Sequence, residues 1–367
     1  MKNLSLKTID KSTWEKFTFQ EIADSISERV DPATIDLETY VGLEHIDPES
    51  LHIKRFGTRE DVSGTKLRCY SGDVIFGKRR AYQRKAAIVE FDGFCSAHAL
   101  VLRARPEVIA PKLFPFFLHS DQFMHRAVDI SVGGLSPTIN WTKLKTQEFL
   151  LPPKDQQAKL AELLWAADKT IQLQVLTLIE TRKVKLSALS QAFDRKTCKR
   201  LRLSEISTNL DRGRKPVKKS DRIEGTTPYY GASGIVDYVE GYTHNEPLLL
   251  VSEDGENLNS RKLPIAYEVD GKSWVNNHAH AIRIHDGLRY LVAEFLNASD
   301  LSDFISGTTR PKITKTALDD LPIYLPKKQI RDQITNQLHL IDGTRDAIEG
   351  GLSSSRQLLK SVINQIF

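Results

Sequence analysis

The sequence predicts an α+β fold: two pseudo-repeated α+β domains separated by two long antiparallel helices that pair in the manner of a coiled coil. Three observations carry this reading. A 57-position segment is written twice without a gap. Each copy ends in an apolar periodicity of about forty residues at three- and four-residue steps. Ahead of each copy, short apolar or alternating runs are bounded by Gly, Ser and Asp, which is the signature of strands.

The repeat aligns Pro137–Phe193 with Pro311–Phe367 at a shift of 174 positions and contains fifteen identities. Among them are Pro137/Pro311, Ile139/Ile313, Leu151/Leu325, Pro152/Pro326, Leu164/Leu338, Asp168/Asp342 and Phe193/Phe367. The shared Pro-x-Ile and Leu-Pro pairs are not helical features, so the likeness of two Leu-rich helices does not account for them. A shorter echo lines up Phe94–Ala99 with Trp274–Ala279 at a shift of 180, and Glu21-Ile22 resembles Glu205-Ile206. The chain is therefore one half written twice with its middle diverged, which implies one scaffold carrying two different surfaces. The boundaries that follow are 1–153 for the first domain, 154–196 for a central helix, 197–327 for the second domain and 328–367 for a C-terminal helix. At 367 residues the chain is long enough for such a division.

Segment 154–193 reads as one helix because Leu160, Leu164, Ala167, Ile171, Leu178, Leu186, Leu189 and Phe193 form a stripe that no Pro or Gly interrupts. Pro152-Pro153 marks its start. Segment 328–367 offers the complementary stripe of Ile330, Ile334, Leu338, Ile341, Ile348, Leu352, Leu359 and Ile363. Gly343 and Gly350-Gly351 predict a bend or a weakened turn within it. In the first half, 66–70, 73–76, 86–89 and 99–102 read as strands, followed by one helix from Pro115 to Ala127. In the second, 248–251, 264–267 and 280–283 read as strands, followed by a helix near 288–297.

Composition excludes several classes. Lys+Arg exceed Asp+Glu by 52 − 47 = 5, a mild excess compatible with a polyanionic partner. Cys69, Cys95 and Cys198 have neither zinc spacing nor a disulfide pattern, which points to a reducing, cytoplasmic setting. No apolar leader follows Met1 and no run is long enough to span a bilayer, so no membrane is expected. Gly72–Lys78 fits G-x4-G-K, yet Arg79 stands where a phosphate-binding loop needs a hydroxyl, and the apolar strand lies between the glycines. His278 and His280 alternate on a strand with no ligand set in sequence reach, so no metal site is expected. The acidic run Glu253-Asp254-Gly255-Glu256 lacks the paired motif of a metal-dependent nuclease and has no counterpart in the first half. No Asn/Asp-Pro-Pro-Tyr/Phe segment is present, so no catalytic residue is assigned.

The loops are informative instead. Lys78, Arg79, Arg80, Tyr82, Gln83, Arg84 and Lys85 place five cations, a Tyr and a Gln between two strands. Cations neutralise phosphates, while Arg and Gln can read guanine and adenine edges bidentately. The second half has a basic loop with Arg212, Arg214, Lys215, Lys218 and Lys219, then Tyr230 and Ser233 among small residues, then Asn257, Asn259, Arg261 and Lys262. The repeated junctions contribute Ser136, Thr138 and Asn140, matched by Thr309, Arg310 and Lys312. Hydroxyl, amide and cation loops of this kind suit contact with DNA phosphates and bases.

With these residues in view the chain resembles the specificity subunits of type I restriction–modification systems over essentially its whole length. The likeness rests on Tyr40–Ile46, Pro228–Ile235, Leu250–Gly255, and on Leu150-Leu151-Pro152-Pro153 and Leu325-Pro326 leading into the two long helices. The resemblance implies two target-recognition domains, each reading half of a split site in double-stranded DNA, on either side of two antiparallel helices. Those helices would dock two methyltransferase subunits. S-adenosylmethionine would come through that methyltransferase partner and not bind this chain directly, and a separate restriction (motor-nuclease) subunit would join for cleavage. A solitary or anti-restriction relative of such a subunit is the alternative. The glycines in the C-terminal helix depart from the family pattern and bear on how the second methyltransferase would fit.

Overall fold

The computed structural model describes residues 10–367. It divides into two compact units. One runs as far as Val175 and takes in Glu349–Phe367; the other is Leu176–Ile348.

In the first unit β1 (Glu15–Thr18), the single turn α1 (Phe19–Ile22) and β2 (Ala23–Ile26) are followed by β3 (Arg29–Val30), β4 (Tyr40–Val41) and β5 (Lys66–Cys69). Then come β6 (Val74–Gly77), β7 (Ala86–Ile88), β8 (Gly93–Cys95) and β9 (Ala99–Ala104). Helices α2 (Phe114–His119), α3 (Asp121–Asp129) and α4 (Trp141–Leu144) and strand β10 (Glu148–Leu151) lead into α5 (Lys154–Ala192). β1 pairs antiparallel with β10, and the remaining strands form two four-stranded sheets, β2-β9-β6-β7 and β3-β5-β8-β4.

The second unit is laid out in the same way. Its elements are β11 (Lys199–Arg202), α6 (Leu203–Ile206), β12 (Ser207–Asn209), β13 (Glu224–Gly231), β14 (Gly234–Val239), β15 (His244–Asn245) and β16 (Leu248–Ser252). They continue through α7 (Asn257–Ser260), β17 (Ala266–Val269), β18 (Lys272–Val275), β19 (Ala279–Ile284), α8 (Arg289–Ala298), α9 (Lys315–Asp319), β20 (Pro322–Leu325) and α10 (Lys328–Ile366). β11 pairs with β20, and the sheets run β12-β19-β16-β17 and β14-β13-β18-β15. In each unit a tyrosine strand runs parallel to the strand of the shorter echo: Tyr40 lies opposite Phe94, and Tyr229 opposite Trp274.

Local chemistry explains the recurrence of Glu21-Ile22 as Glu205-Ile206. The Glu21 carboxylate accepts from the Thr18 backbone N–H at 2.7 Å, and Glu205 from the Arg202 N–H at 2.5 Å. Each closes a donor at the start of a one-turn helix. The isoleucine behind it is buried in both units. The cores differ in kind. Phe19 sits among Phe117, Phe123, Trp141 and Phe149 with ring centroids 5.3–6.5 Å away. Its counterpart Leu203 lies in a mainly aliphatic core with Ile206, Leu249, Val251, Leu296 and Leu318, in which Phe295 is the one buried ring.

Within the first unit, Leu160, Ala161 and Leu164 of α5 share a core with Val362, Ile363 and Ile366 of α10, while a Cβ on Gly351 would stand 3.3 Å from the Gln174 amide. The two helices are thus antiparallel there. Within the second, Lys185 of α5 meets Asp342 of α10 at 2.8 Å, and Leu189 and Leu338 share one core.

Three expectations are corrected. The helix expected from Pro115 to Ala127 is two, because Ser120 adopts an extended backbone and its Oγ accepts from Phe123 N at 3.2 Å, starting a new helix. The strand expected at 264–267 begins two residues later, at Ala266, past Pro264. Helix α10 runs unbroken through Gly343 and Gly350-Gly351. Leu186 and Ile330, expected on the apolar stripes, are 56% and 43% exposed. Among the described residues no helix is long and apolar enough to cross a membrane.

Candidate nucleic-acid interface

In both units the loop after the central strand, β6 or β16, is stitched to the junction before the short helix α4 or α9. In the first, Ile139 N donates to Lys78 O at 2.9 Å and Arg80 N to Pro137 O at 2.7 Å, with Arg79 bridged to Thr138. In the second, Ile313 N donates to Glu253 O at 2.8 Å and Gly255 N to Pro311 O at 2.9 Å, with Asp254 bridged to Lys312. Gly77 opposite Ala99 and Ser252 opposite Ala279 give the same register, so Lys78 is equivalent to Glu253, Arg79 to Asp254 and Arg80 to Gly255. The acidic run, expected to lack a counterpart, therefore has one: the basic loop of the first half. Sequence comparison missed it because the loop aligns at a shift of 175 positions, not the 180 of the neighbouring echo, and the charges are opposite.

The basic loop divides into outward and inward cations. Arg79 and Arg80 are exposed, and Arg80 donates from Nε to Ser136 Oγ at 3.2 Å. Tyr82 is exposed and Gln83 half-buried. Arg84 turns inward, 3.1 Å from Glu49 and 2.8 Å from Asp121, and donates to His119 O at 2.9 Å. Lys85 donates to Leu43 O at 2.6 Å. Arg80 and Arg84 both hold left-handed backbone, at φ 56° and 53°, a conformation that fixes the tight turn between them. Ser136 and Thr138 are half-buried and Asn140 is exposed at the start of α4. Behind the loop His119 is buried; burial pushes its pKa down to about 4, and its Nε2 donates to Ala86 O at 2.7 Å.

The second unit arranges the same parts differently. Arg261, left-handed at φ 49° like Arg84, donates to Leu296 O and Ser299 O at 3.3 and 3.1 Å. Asn257 is likewise spent on its own loop, bonding Leu263 N and O at 2.9 and 3.0 Å. Arg214 turns inward: its Nη1 reaches Glu253 at 2.5 Å and Ala279 O at 2.9 Å, and its Nε lies 3.2 Å from Asp211. Lys312 pairs with Glu253 and Arg310 with Asp254, both at 2.9 Å, and His278 adds a 3.1 Å contact to Asp254. Arg212, Lys215, Lys218, Lys219, Ser233, Asn259, Lys262 and Thr309 are exposed. Tyr230 is half-buried against Tyr267 with centroids 5.9 Å apart, and burial raises its pKa.

Folding also assembles a group that no sequence spacing announced. Asp211, Glu253 and His280 bring ligand-type atoms within 4.8 Å of one another. The donor set could hold a cation, but Arg214 and Lys312 already supply positive charge to it. Burial acts to raise the pKa of Glu253, yet the hydrogen bonds from Arg214 and Lys312, together with the charges of His280 and Arg214, leave the carboxyl below its ordinary range. Asp211 behaves alike: burial acts to raise its pKa, and His280 with the hydrogen bonds from Ala281 and Asn209 lowers it overall. Both His280 ring nitrogens face acceptors, Asp211 at 2.6 Å and Ile313 O at 2.9 Å.

Residues 11–181 and 196–354 match the family described as the type I restriction modification DNA specificity domain. A putative type I restriction enzyme specificity subunit from Haemophilus influenzae, S.HindORF215P, is 38% identical over 138 residues, covering 37% of this chain and 35% of that protein. The type I restriction enzyme EcoDI specificity subunit from Escherichia coli is 26% identical over 198 residues, 52% of this chain and 44% of that one. The chain thus spans under half the length of the curated relatives it matches. Two solved structures share the fold. The S subunit of a type I restriction-modification system from M. genitalium aligns over 99% of this chain and 98% of its own, at 15% identity and a TM-score of 0.63. A chain from a study of complex assembly and conformational transition in a type I R-M system aligns over 96% and 97%, at 19% identity and a TM-score of 0.62. With two such domains in tandem on one repeated fold, this chain belongs to the type I restriction modification DNA specificity domain family.

Proposed function

We propose that the chain is the DNA-specificity subunit of a type I restriction–modification complex. Each unit reads one half of a bipartite duplex site, and the chain positions two methyltransferase subunits, and a restriction subunit where one is present, for adenine methylation or cleavage. The chain has no active site of its own: S-adenosylmethionine enters through the methyltransferase, and the complex works in the cytoplasm. The observation that carries this reading is the pair of equivalent loops. One backbone scaffold is used twice, while the side chains it displays have inverted charge, as expected of two readers of different sequences. The boundaries 1–153, 154–196, 197–327 and 328–367 are proposed as the exchangeable modules. The contacts are proposed to come from the outward residues of each set, with Arg84, Arg261 and Arg214 holding the loops that present them.

The test is to map methylated adenines in DNA modified by the chain with a methyltransferase, then to replace 198–325 with the matching region of a relative. One half of the methylated sequence should change and the other remain. A change in both halves, or methylation by the chain alone, would sink the proposal.

A further inference from the structure

The space around Lys78 in the first unit is an open cleft of about 600 Å³. Arg29, Lys66 and Lys78 line it together with Ser25, Ser27 and Asn140, and among the described residues no carboxylate does. Lys66 is capped by the Ser63 and Gly64 carbonyls. Lys78 is half-buried and its ammonium makes no hydrogen bond or ion pair among the described residues, and Arg29 is exposed and likewise without an ion pair among them. Burial lowers the Lys78 pKa, as expected of a charge removed from water without a counter-charge.

The second unit shows what the same place looks like when it is filled. Ser27 corresponds to Asp211, because Ile26 lies opposite Val101 and Asn209 opposite Ile282. Lys78 corresponds to Glu253, and Leu100 to His280 through the 180-position shift. There the chain supplies both signs of charge, and the Arg214 guanidinium sits between the two carboxylates. In the first unit only the cation is present. The missing component is an anion, and the cleft is continuous with Lys78 and Asn140 of the candidate interface.

We propose that this cleft is a phosphate site, which Lys78 and Arg29 occupy from the protein side and a backbone phosphate of the first DNA half-site fills. The proposal rests on the DNA-reading assignment above. Ser25, Ser27 and Asn140 supply polar groups for the remaining phosphate oxygens, and the second unit, being internally neutralised, has no such site.

The experiment has two arms, both on the full chain. In the first, melting is compared in inorganic phosphate and in chloride at equal ionic strength, for the wild type, K78M, K78R and R29M. The wild type and K78R should gain a phosphate-specific rise in Tm that K78M and R29M lack; the general salting effect of phosphate cancels in that comparison. In the second, binding to cognate and unrelated duplexes is followed against salt with the methyltransferase present. K78M should lower the slope of log K against log salt by about one unit on both duplexes, a loss of roughly five- to tenfold in affinity at 0.1 M salt. K78R should keep the slope. A slope unchanged in K78M overturns DNA as the source of the phosphate, and a phosphate-specific shift that persists in both K78M and R29M overturns the site itself. If the wild-type complex bound no duplex, the DNA-reading assignment would fail, and the first arm would still decide the cleft.

Discussion

Lys78 and Glu253 hold the same backbone position in two copies of one fold, yet the first is an uncompensated ammonium beside an open cleft and the second a carboxylate clamped by Arg214 and Lys312. The bonds that stitch the loop to its junction are backbone bonds in both units, so the side chains at those positions are free to change sign without loosening the loop. That is the physical basis for one scaffold with two chemistries: the peptide groups hold the geometry, and the side chains are left for recognition.

The comparison yields opposite expectations for removing one cation in each unit. R214M would leave Asp211 and Glu253 buried without their shared guanidinium, which should destabilise the second unit by about 3–5 kcal/mol. Hydrogen exchange in β16 and β19 is the readout, and adding E253Q should recover a large part of the loss. Unchanged protection of those strands in R214M would show that the network is not structural. K78M removes a half-buried charge that has no partner among the described residues, so the first unit should be unchanged or stabilised by up to about 1 kcal/mol. A clear fall in the denaturation midpoint of K78M would mean that Lys78 has a partner within the chain.

A smaller contrast concerns the repeated aspartate of the long helices. Asp168 is held by His52 at 2.7 Å, whereas its counterpart Asp342 is held by Lys185 at 2.8 Å and by Tyr290 at 2.8 Å. The hydrogen bond to Asp168 raises the His52 pKa above its ordinary 6.5, more than burial lowers it. This clamp is therefore fully present below about pH 6.5 and is lost as pH rises through the raised folded-state value. The partners of Asp342 named above are an ammonium and a phenol, not an imidazole. Exchange-protection profiles, corrected for intrinsic rates, should loosen around Asp168 but not around Asp342 between pH 6 and 9. H52Q should abolish the difference; equal behaviour at both aspartates would remove the distinction between the clamps.

Much of the architecture was legible because it is written in local or periodic signals. The repeat, the stripes of the long helices and the central strands depend on spacing along the chain, and Glu21-Ile22 with Glu205-Ile206 marked two real helix starts. The interface residues were legible only as a pool. Arg79, Arg80, Lys218 and Lys262 reach the surface, whereas Arg84, Arg214 and Arg261 are turned into the fold by carbonyls and carboxylates as far as 35 to 65 residues away in sequence.

The sequence by itself determined that this protein is a duplicated α+β chain with two long helices and basic, polar loops, because hydrophobic period and repeated motifs are properties of neighbours. Tertiary structure alone decided which charges remain available. Lys78 meets Glu253's place in the fold only through a shared register, and Arg214 finds Glu253 39 positions away. Whether a cation faces solvent or an internal carboxylate depends on such distant approaches, since electrostatic pairing follows separation in space and not order along the chain.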